Sequence, residues 1–140
     1  MPSSRDKFAG LAATAGVVTV LIVGFVNLGG PRTQRLIQAD NWRIQNLSTL
    51  ALEIKTKWTN SNYVLPATLD DVASSNQIRY DPVSGAPYEY RPGAASQYQL
   101  CANFARDYRP PGRSIFWAHP AGHYCFQMDA SRQTEPFYRY

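Results

Sequence analysis

The sequence predicts an α+β protein: an N-terminal transmembrane helix, then a long amphipathic helix packed on a small antiparallel β-meander of about four strands. Three observations predict it. Residues 8–28 form one uncharged, apolar run. A stripe of apolar residues at helical spacing follows between Ile37 and Trp58. Beyond Ile78 the pattern changes to strand alternation punctuated by Asp-Pro, Ser-Gly and Pro-Gly turns.

The first element is "FAGLAATAGVVTVLIVGFVNL", 21 residues without a charge. As a helix it extends about 30 Å, enough to cross a bilayer. Its threonines can return their hydroxyls to the helix backbone. A cleaved secretory signal would have a shorter apolar core, about 7–15 residues, and a small-x-small cleavage site. Here "NLGGPR" follows, with Pro31 where cleavage would fall. The reading is an N-terminal tail over 1–7 and an uncleaved signal anchor over 8–28. Arg5 and Lys7 precede the run and Arg32 and Arg35 follow it, so the positive-inside rule does not orient it.

"GGP" at 29–31 separates this anchor from a soluble domain spanning 31–130. Pro31 suits a first helical turn, where its missing N–H costs nothing. Ile37, Ile44, Leu47, Ala51, Ile54 and Trp58 then fall on one helical stripe. Ile44, Leu47, Ile54 and Trp58 are the expected seam between helix and sheet. Arg43, Asn46, Glu53 and Lys57 lie mostly off the stripe, and Glu53 and Lys57 have favourable i,i+4 spacing. "PATLDDVASSN" predicts a short second helix. Thr68 caps it, Asp71 reaches back, and Leu65, Leu69 and Val72 face inward.

Four strands are predicted next: "PYEYR", "QYQLCANF", "IFWAH" and "HYCFQM". In the second, Tyr98, Leu100, Ala102 and Phe104 share one face, with Gln99, Cys101 and Asn103 on the other. In the fourth, Tyr124, Phe126 and Met128 oppose His123, Cys125 and Gln127. A C-terminal tail, 131–140, carries further aromatics.

"HPAGHYC" poses the main chemical question. Cys101 and Cys125 both fall on the more polar face of their strands. If those strands are neighbours, a disulfide closes a loop of about 25 residues and contributes roughly 3 kcal/mol. Alternatively, His119 and His123 join the two cysteines in a four-ligand set, sufficient for tetrahedral zinc. Two buried free thiols are the third reading. Usual zinc patterns carry a close cysteine pair, whereas these cysteines are 24 positions apart. "PAG" also has a local explanation as a turn between strands. The disulfide is therefore the preferred reading. It favours an oxidising compartment, which would leave the short tail in the cytoplasm and residues after Pro31 outside it.

Other chemistry is sparse. The 14 basic and 10 acidic residues give a net charge of +4, and the basic residues are scattered. Nucleic acid is thus not an expected partner. Asp70 and Asp71 are consecutive and do not face one another. Ser114 has no visible triad partners, and there is no phosphate-binding Gly-rich loop. No enzyme activity and no cofactor are expected.

Two segments together resemble a known family. "ADNWRIQNLSTLALEIKTKWTNSNYVLPATLDDV" resembles the exposed half of the long helix of type IV pilin-like proteins and type II secretion pseudopilins, with the loop and short element that follow it. "DPVSGAPYEY", followed by "YQLCANF", is similar to their strand region, where an Asp-Pro turn leads into a P-Y-x-Y strand. The resemblance covers about residues 35–105. It implies a helix packed on a small antiparallel sheet. The anchor departs from that pattern: no Gly precedes Phe8 and no Glu occurs within 8–28. The combined expectation is a pilin-like domain on an ordinary single-pass anchor in a cell inner membrane. Its role would be structural or interactive, as an envelope-complex component with a protein partner. The alternatives are a divergent minor pseudopilin, which N-terminal sequencing would show beginning near Phe8, and a zinc-stabilised or zinc-dependent domain.

Overall fold

The computed structural model describes residues 4–28, 30–72, 76–109 and 115–132; the side chains at 4–9, 12, 25–28 and 76 lie outside the description. The chain divides into two compact units between Arg35 and Leu36.

The first unit holds α1 (Ser4–Leu28) and the opening turn of α2 (Pro31–Asn60). In α1 the hydroxyls of Thr14 and Thr19 donate to the carbonyls of Gly10 and Ala15, at 2.9 and 2.8 Å. The polar members of the run thereby satisfy themselves within the helix. Leu11, Val17, Val18, Val20, Leu21, Ile22 and Val23 are all exposed. Among the described residues, no helix is long and apolar enough to cross a membrane. The anchor expected over 8–28 includes positions 8, 9, 12 and 25–28, whose side chains lie outside the description. Pro31 opens α2, and the Gly30 carbonyl accepts the N–H groups of Thr33 and Gln34.

The second unit is α+β. Its sheet has three antiparallel strands in sequential order, β1 (Glu89–Pro92), β2 (Gln97–Phe104) and β3 (Gly122–Asp129). Tyr98 pairs with Met128 and Leu100 with Phe126 across β2 and β3, so the predicted apolar face is one continuous surface. The part of α2 beyond Leu36 buries Ile44, Leu47, Leu50, Ala51 and Ile54 in one cluster with Tyr98, Leu100, Phe104, Phe126 and Met128. Leu50 joins the seam because it lies three residues from Leu47 and four from Ile54. Trp58 packs against that cluster while only partly buried, with its ring edge-on to Tyr63 at 4.7 Å.

Two expectations need correction. The predicted strand "IFWAH" is not a strand. A strand sends consecutive side chains to opposite faces, yet Phe116 and Trp117 both pack on Phe126, with ring centroids 6.2 and 5.0 Å from it. A turn, closed by the Ala118 N–H on the Ile115 carbonyl at 3.0 Å, permits that placement. Only His119 pairs, in an isolated bridge to Tyr108. The short second helix is a single 3-10 turn, Leu69–Asp71, with another at Asn76–Arg79. Its cap is as expected: the Asp71 carboxylate accepts the Thr68 N–H at 3.0 Å. The tail over 131–140 falls outside the described residues from 133 onward.

Candidate functional site

The outward face of the sheet gathers the residues singled out for chemistry. Cys101 lies directly opposite Cys125 in the β2–β3 register and opposite Glu89 in the β1–β2 register. The two cysteines are joined in a disulfide. Cys101 is buried and Cys125 half-buried. His123 precedes Cys125 by two residues on the same face, and its Nε2 lies 3.0 Å from Glu89 Oε2. Arg91, also two residues along its strand, donates from Nε to Glu89 Oε1 at 2.6 Å. Arg91 first, then His123, hold the Glu89 carboxyl below the ordinary carboxylate range. Donor atoms of Glu89, Cys101, His123 and Cys125 all lie within 4.8 Å of one another.

The two histidines of "HPAGH" are separated by the fold. His119 belongs to the core and stacks on Phe104 with ring centroids 3.6 Å apart. Its Nδ1 lies 3.1 Å from the Pro120 carbonyl, so Nδ1 carries the proton and donates. Nε2 is buried and has no hydrogen-bond partner among the described residues. Burial, only partly offset by the Pro120 carbonyl, holds the imidazole below its ordinary pKa and therefore neutral. The set of two cysteines and two histidines is thus not assembled. His123 meets the cysteines, and Glu89 occupies the place that the sequence reading gave to His119.

A second polar constellation was not visible in the sequence. Arg43, on the core side of α2, is buried between Asp40 and Asp81. Its Nη1 donates to Asp40 Oδ1 at 2.7 Å, and its Nε and Nη2 both donate to the Asp81 carboxylate. Asp40 also accepts the backbone N–H groups of Ala105 and Arg106, at 2.9 and 3.1 Å, just beyond β2. Asp81 Oδ1 accepts those of Val83 and Ser84, at 2.9 and 2.8 Å. Gly85, at φ 69°, completes that turn and donates to the Asp81 carbonyl at 2.9 Å. Burial alone would raise the Asp81 pKa; Arg43 and the two backbone donors outweigh it and hold it at about 2. The "DPVSGAPY" segment is therefore a built corner, tied to the long helix by one guanidinium fork.

An open groove of about 570 Å³ runs beside this corner, lined by Trp42, Asn46, Gln77, Ile78, Tyr80, Asp81 and Pro82. Trp42 and Tyr80 are exposed. Asn46 donates to the Tyr88 hydroxyl at 3.3 Å, which fixes one wall of the corner.

Compared with known protein families, with curated proteins and with solved structures, the chain matches none of them.

Proposed function

We propose that this protein is a single-pass membrane protein of a cell's inner membrane, carrying a pilin-like interaction domain outside the cytoplasm. Its role is to hold a protein partner within an envelope complex, without catalysis or a cofactor. The observation that carries the anchor is the exposure of seven large apolar side chains between Leu11 and Val23 of α1, within a run that holds no charge from 8 to 28. Such a helix is stable in lipid and a liability in water. The disulfide of the second unit favours an oxidising side of that membrane. The pilin-like reading draws on the resemblance of residues 35–105. Its Asp-Pro turn is the corner that Arg43 clamps.

The interaction role draws on the Trp42–Tyr80 groove. Exposed aromatic side chains beside buried, hydrogen-bonded polar groups are what protein interfaces use as anchors. The test is alkaline carbonate extraction of membranes from cells expressing the full chain, followed by protease treatment of intact spheroplasts. The chain should stay in the membrane pellet, and residues 36–132 should be cut only from the outer side. Release by carbonate, or cleavage only after the cells are opened, contradicts the proposal.

A further inference from the structure

We infer that reducing the Cys101–Cys125 disulfide converts the outward face of the sheet into a four-ligand zinc site, held by Glu89, Cys101, His123 and Cys125. The three strands put these ligands in place before any metal arrives. Glu89, Cys101 and Cys125 form one row across β1, β2 and β3, linked by backbone register. His123 stands next to that row on the same face of β3, because residues two apart on a strand share a face. The four donor atoms lie within 4.8 Å of one another. Around zinc, with bonds of about 2.0–2.3 Å, donors stand roughly 3.3–3.8 Å apart, within the span these four donors already occupy. The ligand set is the ordinary one for zinc: two thiolates, an imidazole and a carboxylate.

The oxidised protein cannot use this site, because each sulfur is bonded to the other. A dithiol reductant opens it. One thiolate of the reductant attacks a cysteine sulfur, the S–S bond breaks, and a mixed disulfide forms. The reductant's second thiolate resolves it. The reductant leaves as a disulfide, and Cys101 and Cys125 each take up one proton. Zinc then displaces those two protons to solvent and binds neutral His123 and ionised Glu89. The resulting site carries one net negative charge. Arg91, already paired with Glu89, stays beside it and offsets that charge. The side chains of His123 and Glu89 are 50% and 41% exposed, so a metal meets these two ligands from solvent, whereas Cys101 is buried.

The experiment uses the full chain in mild detergent, reduced anaerobically with a phosphine, and cobalt(II) as the spectroscopic probe. The reduced chain should bind one equivalent of cobalt, with thiolate-to-cobalt absorption in the near ultraviolet and tetrahedral bands in the visible. Zinc should displace the cobalt, and the oxidised chain should show neither feature. Glu89→Gln and His123→Ala, at exposed positions, should each weaken cobalt binding by at least the ~10-fold that losing an outer-shell partner costs. Their circular dichroism should not change. As a second readout, zinc should raise the urea midpoint of the reduced chain only. A reduced chain without thiolate–cobalt absorption, binding insensitive to both substitutions, or a midpoint that ignores zinc would each overturn the site.

Discussion

At the scale of single residues, Arg43 does most to fix the fold's polar interior. It pairs with two buried carboxylates at once, and those carboxylates in turn hold four backbone N–H groups. Arg43→Ala leaves both acids buried without a cation and should cost about 3–5 kcal/mol in urea unfolding. Asp81 adds a pH signature. Its folded pKa of about 2 lies below the unfolded value of 3.8. The stabilisation, roughly 2 kcal/mol, is present above the unfolded value and is lost as pH falls through about 2. His119 acts higher on the scale. It is held neutral, so the unfolded chain takes the proton first, and stability declines as pH falls below about 6.5. Unfolding free energy measured against pH should therefore show two limbs. His119→Phe, which preserves stacking on Phe104, should remove the upper limb and leave the acid one. Little of this was legible in the sequence. Arg43 reads as a charge beside an apolar stripe, and nothing local links position 43 to position 81. Only the folded chain brings them together.

Elements were more readable because their signals are periodic. The stripe on α2 identified Ile44, Leu47 and Ile54, each now almost fully buried. Strand parity put Cys101 and Cys125 on one face of β2 and β3 before their register was known. The errors arose where periodicity competes with shape. Phe116 and Trp117 look like strand residues but leave the sheet to share Phe126, and a turn reaches that arrangement more easily than an extended chain. Trp58 ends the stripe at the rim of the core, where large rings cover rather than fill. These placements give a ranked expectation. Leu47→Ala should cost about 2–5 kcal/mol, as truncation inside a closed core does. Trp58→Ala should cost less, since that side chain is only partly buried, at the edge of the core. Equal losses in thermal or urea unfolding would show the seam to be placed wrongly. Opening the disulfide should lower stability by roughly 3 kcal/mol, read from unfolding curves with and without reductant in metal-free buffer.

On the scale of the whole molecule, the chain combines an apolar helix with a disulfide-closed helix-on-sheet domain. The apolar run and the glycine break were plain from composition alone. The Cys–Glu–His face was half legible: parity grouped Cys101, His123 and Cys125, while Glu89 entered only through the β1–β2 pairing. The proposed function requires this domain to work outside the cytoplasm with its disulfide closed. The most direct measurement is the thiol state of the full chain in cells that express it. Cells are lysed in denaturant with an excess of alkylating reagent and no reductant, and the protein is weighed by mass spectrometry. The protein should show two unalkylated cysteines and a mass two hydrogens below the reduced chain. Two alkylated cysteines would contradict it, because denaturation exposes even metal-bound thiols and only a closed disulfide resists the reagent.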